Sequence, residues 1–511
     1  MSGAHRATVP PIEFAVGARE LRERLGGERV ALDDRFLERL SGACAILDTS
    51  PESLAEAGRD WWPISSRWAL SGAVPARPGV IARPADTAEV ADVLRCCNEA
   101  RVPVTATGGR SGVCGGTIPV FGGVSLDCCG LEGVLEHGEG ASLVDVRAGT
   151  NGADLEQRLR SGSGITTGHW PQSVELATVG GWIACRGAGQ YSTRYGKIED
   201  IVAGLEVVLA DGTVVRTGAL AGQGAGPRSA MGPDLTSLFV GSEGTLGVIT
   251  SARLRVHRVA AEERRAAWSF PSFAEGLEAL RRTLRRGATP AVVRLYDSTE
   301  SKRHFDISDG NVLIALDEGD EVIVEAAMRV LFEECRTGDP LDVALVERWF
   351  AHRNDVSALE AVTRAGIVAD TIEIAAPWDA LSAIYGGALA ALRATSGIIV
   401  ASAHESHAYL EGACLYFTFA GRGADPADDA WAEAFYRDCW QAVLRTTSAN
   451  GGSISHHHGI GLVRGPYLAE ALGTGFGVLE ALKTALDPRG ILNPGKLGLP
   501  SPFGASPWPD R

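Results

Sequence analysis

Three loops rich in glycine and other small residues constrain the fold of this 511-residue chain more than any other feature. They are TATGGRSGVCGG at residues 105–116, TVGGWIACRGAGQ at residues 178–190 and VGSEGTLGVIT at residues 240–250. Glycine permits a positive φ and lets backbone N–H groups come close to a ligand. Three such loops between strand-like and helix-like segments predict a long, phosphate-bearing cofactor that lies across an α/β domain.

The first loop matches neither of the common phosphate-binding signatures. It does not end in the Gly-Lys-Ser/Thr of a Walker loop, and it lacks the G-x-G-x-x-G spacing of a Rossmann turn. A plain glycine-rich turn explains this loop alone equally well. The cofactor hypothesis therefore depends on the three loops together.

The segments around the first loop read strand, helix, strand. We expect Asp86 or Thr87 to cap the helix and Pro103 to start the second strand. Further along, GLEVVLADGTVVRTG predicts a hairpin with Asp211-Gly212 as its two-residue turn. In the N-terminal part, ARELRERLGG has helical apolar spacing and predicts a helical lead-in.

Strand and helix patterns alternate again in the second half of the chain, which predicts another α/β layer. A length of 511 residues exceeds one ordinary core, so two or three domains are expected. The net charge of −15 argues against nucleic acid or an anionic membrane surface as the main partner. It leaves room for a local basic pocket.

The sequence shows no export signal and no zinc-binding cysteine spacing, and together these observations indicate a reducing compartment. No run of 18 apolar residues predicts a transmembrane segment, and MSGAHRATVPPIEF lacks the apolar core of a signal peptide. The ten cysteines show no zinc-binding spacing. We expect buried, reduced thiols and a cytoplasmic protein.

The segment SISHHHGIGLVR, residues 453–464, carries three consecutive histidines. Such a run is explained by a metal site, by an acid–base cluster or by a packed turn. In extended geometry His456 and His458 would share one face and His457 the other. At least one of the three is then expected to be structural.

An ordered set of motifs resembles the flavoprotein superfamily of vanillyl-alcohol oxidase and p-cresol methylhydroxylase. The motifs are VIARPADTAEV, VPVTATGGRSGVCGG, TGHWPQSVELATVGGWIA, YGKIEDIV, VGSEGTLGVIT and DPRGILNPGKL. The resemblance implies an α/β (α+β) fold with a PCMH-type, two-subdomain FAD-binding domain and an inserted α/β cap domain. It implies the FAD-binding domain at 78–258, the cap at 259–450 and a C-terminal catalytic segment at 451–511, and the local pattern predicts a helical extension at 1–77 before them.

The same resemblance implies which residues bind FAD. Since residues 105–116 offer no histidine and Cys114 would be an unusual anchor, we expect FAD to be bound non-covalently. The first loop is expected to hold the pyrophosphate. The implied cofactor-binding residues are Thr107, Gly108, Gly109, Arg110, Ser111, Gly112, Val113, Gly115, Thr178, Gly180, Gly181, Glu243, Gly244, Gly247 and Ile249.

Two branches of the superfamily match best. FAD-dependent D-2-hydroxyacid dehydrogenases bind a divalent metal through HxGDGNxH and a later Glu-His-Gly. Alkyldihydroxyacetonephosphate synthase resembles this chain in TGHWPQS, VVRLYD, TIEIAAPWD, EGACLYFTF and SHHHGIG. This chain lacks the GDGN turn, and Tyr416 stands where the second ligand histidine is expected. We therefore predict no metal, while His404, His407 and His457 remain an alternative metal set.

The synthase branch implies roles for particular residues. Its flavin makes no net redox change: N5 bonds to C1 of acyl-dihydroxyacetone phosphate, the fatty acid leaves and a fatty alcohol attacks. By motif position Tyr416 is the acid and His457 and His458 act in C1 proton removal. The implied catalytic set is Tyr416, His456, His457, His458, His169 and Arg294, and the implied substrate-binding residues are Arg353 and Thr371.

Plainer explanations stay open for several of these residues. His169 precedes Trp170-Pro171 and is also explained by a role in a turn, and Arg353 is also explained by pairing with Asp355. The first loop is closer to the hydroxyacid dehydrogenases, so the alternative function is an FAD-dependent oxidase or dehydrogenase of a D-2-hydroxy acid or other alcohol. Either function implies a small-molecule substrate with a phosphate or carboxylate, and many relatives form homo-oligomers.

Overall fold

The computed structural model describes residues 10, 12–25, 29–138, 142–220, 229–355 and 358–508. None of the helices in these ranges is long and apolar enough to cross a membrane.

The N-terminal part combines short strands with three helices. The strands are β1 (Arg22–Glu23), β2 (Leu47–Asp48) and β3 (Ala73–Val74), and the helices are α1 (Asp34–Ala43), α2 (Pro51–Glu56) and α3 (Pro63–Leu70). The helix predicted over ARELRERLGG is wrong, because β1 pairs in parallel with β3. Backbone bonds from Arg22, Arg24 and Leu25 to residues 72–75 outweigh the local helical preference.

A four-stranded sheet in the order β2-β4-β6-β5 carries the first glycine loop. Its other strands are β4 (Val80–Ala82), β5 (Val104–Thr107) and β6 (Val124–Asp127). The crossover helix α4 (Thr87–Ala100) is capped by Asp86, whose side chain accepts from the Glu89 N–H as predicted. The loop leaves the carboxyl end of β5, the usual ligand-binding edge of a parallel sheet.

A five-stranded antiparallel sheet in the order β11-β10-β12-β8-β7 follows. Its strands are β7 (Val134–Gly138), β8 (Leu143–Arg147), β10 (Val202–Val208), β11 (Val214–Arg216) and β12 (Val248–Arg255). A separate pair joins β9 (Ile165–Thr166) to β13 (His257–Arg258). The helices are α5 (Gly152–Ser163), α6 (Val179–Cys185), α7 (Ser192–Tyr195) and α8 (Ile198–Ile201).

The hairpin between β10 and β11 forms, but its turn is longer than predicted. The Leu209 N–H donates to the Thr213 carbonyl oxygen, and the Gly212 N–H donates to the Leu209 carbonyl oxygen. Three residues, Ala210 to Gly212, therefore form the loop, and Gly212 has φ +83°. This is the three-residue hairpin in which a glycine takes the left-handed position.

The second half of the chain forms a seven-stranded antiparallel sheet, called the cap sheet below, in the order β17-β14-β16-β15-β19-β20-β18. Its strands are β14 (Glu262–Phe270), β15 (Val292–Tyr296), β16 (Asn311–Gly319), β17 (Asp339–Leu341), β18 (Val368–Pro377), β19 (Ile398–Ala408) and β20 (Gly412–Gly421). The helices are α9 (Phe273–Arg285), α10 (Ser298–Phe305), α11 (Glu321–Glu334), α12 (Ala344–His352), α13 (Ala358–Arg364), α14 (Trp378–Ala394) and α15 (Asp429–Ala449).

The two faces of the cap sheet differ in character. One face packs its apolar side chains, such as Leu295, Leu415 and Phe417, into a large core beneath α9, α11, α14 and α15. The opposite face carries polar side chains. The C-terminal segment, with α16 (Gly465–Leu472) and α17 (Gly475–Leu486), returns to the four-stranded sheet, where Asn493 N–H donates to the Val104 carbonyl oxygen.

Candidate active site

One face of the cap sheet carries a row of polar side chains from four strands. Tyr296 on β15 lies opposite His404 on β19, His404 opposite Tyr416 on β20, and Tyr416 opposite Glu373 on β18. Residues directly opposite each other in a sheet project to the same side. Arg294, two positions before Tyr296, joins this face.

The Tyr416 hydroxyl meets two of the three consecutive histidines. It lies 2.6 Å from His457 Nε2 and 3.1 Å from His458 Nε2. The expectation that these neighbours point to opposite faces is wrong. The backbone is irregular here because Glu373 accepts the N–H groups of both His456 and His458, which turns the chain around one carboxylate.

Burial sets the protonation states of this cluster. It lowers the pKa of His456 and His457 well below the usual range and lowers the pKa of His458 to about 4. Burial also raises the pKa of Tyr416 well above its usual value, with Cys414 and Glu373 adding to the effect. At neutral pH the site therefore holds a protonated phenol and neutral imidazoles.

The hydrogen bonds continue from Tyr416 along the histidine run. The Nδ1 atoms of His457 and His456 lie 2.8 Å apart. If Tyr416 donates to His457 Nε2, then His457 donates from Nδ1 to His456. His458 donates its Nε2 proton to the Tyr416 oxygen in the same arrangement. A proton can thus move from Tyr416 to His457 while His457 passes its Nδ1 proton to His456.

Two buried carboxylates fix the histidine segment, and the first is Glu373. Its Oε1 accepts from Ser455 Oγ at 2.9 Å, from the His458 N–H at 2.8 Å and from Arg464 Nη2 at 3.0 Å. Glu373 and Arg464 are both fully buried. Burial raises the pKa of Glu373, but Arg464, His458 and the backbone donors outweigh it and keep the pKa below its usual value.

The second carboxylate is Glu243, from the third small-residue loop. Its Oε1 accepts the Ile460 N–H at 2.5 Å and its Oε2 accepts the Gly461 N–H at 2.8 Å. Glu243, predicted to bind the cofactor, thus bonds the chain's own backbone just after the histidines. Its φ of +50° is in the left-handed region.

Two arginines predicted for the site lie near the same aromatic residue, Trp349. The guanidinium carbons of Arg294 and Arg353 lie 5.5 Å and 6.0 Å from the Trp349 ring centre. Arg353 also stacks on Phe350 at 3.7 Å. Its burial lowers its pKa, and it lies at the end of α12.

Thr371 and His169 lie apart from the Tyr416 cluster in different ways. Thr371 pairs with Thr418 on β20, one step further along the same sheet face as Glu373 and Tyr416. His169 is fully buried beside Trp182, with ring centres 4.6 Å apart, and neither ring nitrogen bonds to a described residue. Its pKa falls to about 3, mainly through burial. The recorded contacts do not join His169 to the histidine run.

The first glycine loop has the free donors that a pyrophosphate requires. Within the described ranges, the backbone N–H groups of Arg110, Ser111, Gly112 and Val113 donate to no protein acceptor. A Cβ on Gly112 would meet no atom within 4 Å. Arg110 is held at φ +51°. Consecutive unpaired N–H groups form a concave anion site, so these residues fit FAD.

Other predicted cofactor residues explain how the loops pack together. A Cβ on Gly108 would lie 2.2 Å from Thr178 Oγ1, and one on Gly109 would lie 1.9 Å from the Leu176 carbonyl oxygen. Thr178 caps α6 by accepting from Gly181 N–H. The remaining predicted residues lie around these contacts: Thr107 at the end of β5, Gly115 against Trp62 and Leu462, Gly180 against Ala148, Gly244 at φ +72°, Gly247 against Val207 and Ile249 on β12.

Two groups of side chains could hold a metal ion. The ligand atoms of His407, His456 and His457 lie within 4.8 Å of one another, and so do those of Glu373, Cys414 and His457. His404, part of the alternative metal set, instead bonds to Glu300 and Arg294.

The sequence matches known proteins over most of its length. Residues 78–218 match the FAD binding domain family, and residues 259–497 match the family FAD linked oxidases, C-terminal domain. The chain is 31% identical to the uncharacterized FAD-linked oxidoreductase YgcU of Escherichia coli (strain K12), over 82% of this chain and 89% of that protein. The chain belongs to the FAD-linked oxidase family. It is an enzyme, and FAD is the cofactor of its family.

Other members of the family carry different names. The chain is 28% identical to alkyldihydroxyacetonephosphate synthase of Dictyostelium discoideum, covering 83% of this chain and 74% of that protein. It is 30% identical to glycolate oxidase subunit GlcD of Bacillus subtilis (strain 168), covering 82% and 89%. A solved alkyldihydroxyacetonephosphate synthase structure matches with a TM-score of 0.75 at 22% identity, covering 94% of this chain and 89% of that one. The predicted mixed α/β fold with a PCMH-type FAD-binding domain is confirmed.

Sequence reasoning missed Glu373, Arg464 and Glu300, which surround the predicted set, and it considered His404 only as a metal ligand. Glu373, Arg464, Glu300 and His404 are all bonded to predicted site residues or to their backbone. A glutamate inside the apolar strand TIEIAAP was a usable signal, because an unpaired carboxylate is rarely buried. Glu300 and His404 gave no such signal.

Proposed function

We propose that this family member catalyses a reaction of the alkyldihydroxyacetonephosphate synthase type, in which Tyr416 is the proton donor and His457 and His458 take part in removal of the C1 proton. The observation that carries the proposal is the Tyr416 hydroxyl lying within hydrogen-bond distance of both His457 Nε2 and His458 Nε2. The relative of that name in Dictyostelium discoideum supports it.

The protonation states match the steps that this reaction requires. A departing carboxylate needs a proton donor, and Tyr416 is protonated at neutral pH because burial raises its pKa. Removal of a proton from substrate C1 needs a neutral base, and burial keeps His457 neutral. His457 Nδ1 lies 2.8 Å from His456 Nδ1, so His456 receives the relayed proton.

The remaining residues bind and orient the substrate. Arg294 and Arg353, which both lie near Trp349, attract its phosphate or carboxylate. Thr371 contributes a hydroxyl on the Tyr416 face of the cap sheet. Bound FAD would supply the electrophilic N5 of its isoalloxazine ring to the substrate carbon. The N–H groups of residues 110–113 hold its pyrophosphate, and we propose that it is attached non-covalently. Acid precipitation should then release flavin into the supernatant.

A second candidate is an FAD-dependent oxidase or dehydrogenase of a D-2-hydroxy acid. The observation that favours it is the group His407, His456 and His457, whose ring nitrogens are close enough to bind one metal ion. The glycolate oxidase subunit GlcD of Bacillus subtilis supports it too. In this alternative, the metal would orient the hydroxyl and carboxylate of the substrate.

Anaerobic stopped-flow absorbance of the holoenzyme separates the two candidates. The panel contains D-lactate, glycolate, D-2-hydroxyglutarate and palmitoyl-dihydroxyacetone phosphate. Of the four compounds, we expect only palmitoyl-dihydroxyacetone phosphate to change the flavin spectrum and to release palmitate. Addition of a fatty alcohol should then give the ether product. Bleaching of the oxidised flavin band by a hydroxy acid, reversed by oxygen or a dye, would instead support the second candidate. Elemental analysis tests the absence of a metal.

A further inference from the structure

Within the part of the chain that the structure describes, Arg294 is hydrogen-bonded to a histidine, His404, and not to a carboxylate. Its Nη2 lies 2.9 Å from Nε2 of His404, and its side chain also interacts with Tyr296. Its Nε is buried and bonds to no described residue. An arginine usually pairs with a carboxylate, which cancels its charge. Arg294 instead bonds to a neutral ring, and the nearby carboxyl of Glu405, which also acts on it, is protonated at neutral pH because burial raises its pKa to about 8.

Glu300 decides which nitrogen of His404 carries the proton. His404 Nδ1 lies 2.7 Å from Glu300 Oε2, and the carboxylate can only accept. The proton is therefore on Nδ1, and Nε2 presents its lone pair to Arg294. Burial lowers the pKa of His404, although Glu300 opposes the effect, so the ring is neutral at neutral pH.

Glu300 itself is held rigidly. Its carboxylate is buried and accepts from Ser402 Oγ at 2.9 Å, from Thr418 Oγ1 at 2.8 Å and from Arg303 Nη2 at 3.1 Å. Burial raises the pKa of Glu300, but His404, Arg303 and Thr418 outweigh it and keep the pKa below its usual value, so Glu300 stays ionised. His404 is also confined between two rings, 4.9 Å from Tyr416 at an angle of 8° and 5.2 Å from Tyr296. Two hydrogen bonds and two stacked rings therefore fix the orientation of the His404 ring.

We propose that Glu300 and His404 are positioning residues that hold Arg294 in place, with its positive charge uncancelled, for an anionic group of the substrate. His404 also stacks on Tyr416, so one ring sets both the anion-binding group and the proposed proton donor. The proposal rests on the proposed function in one respect: the anion is taken to be the phosphate or carboxylate of that substrate.

The test measures binding of inorganic phosphate to the holoenzyme by isothermal titration calorimetry at constant ionic strength. Arg294→Leu sets the reference for loss of the charge. His404→Phe keeps the ring stack and removes both hydrogen bonds, and we expect it to weaken phosphate binding about tenfold, close to the effect of Arg294→Leu. His404→Gln offers an oxygen to Arg294 and an amide N–H to Glu300, and we expect an affinity within about threefold of wild type.

Three results would overturn the proposal. One is unchanged phosphate affinity in His404→Phe when Arg294→Leu is weakened. Another is unchanged affinity in Arg294→Leu itself. The third is equal weakening in His404→Gln and His404→Phe, which would assign the effect to packing. If His404→Phe does not fold, His404→Asn, which reaches Glu300 but not Arg294, replaces it with the same expectation. Since phosphate binding involves no turnover, absence of ether product in wild type would refute the proposed function alone.

Discussion

Replacing Glu373 by glutamine should destabilise the protein by about 4 kcal/mol. The change removes the negative charge that faces Arg464, and both side chains have no exposed surface. Losing one partner of a buried ion pair costs about 3–5 kcal/mol. The glutamine oxygen can replace Oε1, with its three donors, but the new amide then points at the His456 N–H, which donates to Oε2 in the wild type. An unpaired buried donor adds about 1–3 kcal/mol, part of which local relaxation removes.

The assay is thermal unfolding of wild type and Glu373→Gln at pH 7, followed by circular dichroism. For a chain of 511 residues, a loss of 4 kcal/mol lowers Tm by about 4 °C if unfolding is cooperative. Turnover should fall as well, because Glu373 holds the N–H groups of His456 and His458.

Glu433→Gln is the matched control. Glu433 also accepts from an arginine, Arg24, and from the Trp68 indole, but the Arg24 side chain is 41% exposed. Water can solvate that arginine after the change, so the expected loss is about 1 kcal/mol. Equal melting temperatures for the two variants would refute the argument that the buried pair with Arg464 fixes the histidine segment.

Three further predictions concern single groups. Tyr416→Phe should lower kcat by about 10²–10⁴-fold with little change in Tm; a wild-type kcat would remove Tyr416 from the proposed mechanism. Gly112→Ala should weaken FAD binding, measured by flavin fluorescence, without changing the Tm of the apoprotein. Gly109→Ala should destabilise the apoprotein by about 1–3 kcal/mol, because the added Cβ would meet the Leu176 carbonyl oxygen. Burial raises the pKa of Glu405 to about 8 from 4.5. The folded state then binds a proton that the unfolded state releases above pH 4.5, so stability falls as pH rises from 4.5 to 8, by at most about 1.4 kcal/mol per unit. Urea unfolding of Glu405→Gln between pH 5 and 8 should show a smaller fall than wild type; parallel curves would contradict the assignment.

Local signals predicted the parts of the fold whose causes are local. Asp86 caps α4 because an aspartate before a run of helix formers satisfies the first free N–H groups, and this is visible in the sequence. The prediction of a helix over ARELRERLGG was wrong for the opposite reason. Its apolar spacing is real, since Leu21 and Leu25 are buried, but pairing with residues 73–74 decides the backbone. That pairing joins segments about 50 residues apart.

The residues of the candidate site likewise divide into those that the sequence predicted and those that depend on contacts distant in sequence. Motif resemblance selected Tyr416 and the histidine run, and the structure brings them within hydrogen-bond distance. Glu300 and His404 are 104 positions apart, and their contact follows from the order of strands in the cap sheet and from the start of α10. No local periodicity encodes that order. The turn that directs His457 and His458 to one hydroxyl depends on Glu373, which lies 83 and 85 positions before His456 and His458.

The histidine segment limits how ligands can enter and leave. The His458 N–H donates to Glu373 of the cap sheet, and the Ile460 and Gly461 N–H groups donate to Glu243 of the third small-residue loop. A hinge motion that separated the cap sheet from that loop would break at least one of these two sets of bonds. We therefore expect the radius of gyration to stay constant during turnover, and exchange to proceed by displacement of peripheral loops. Release rates should then respond to solvent viscosity and to loop substitutions more than to changes in the sheets.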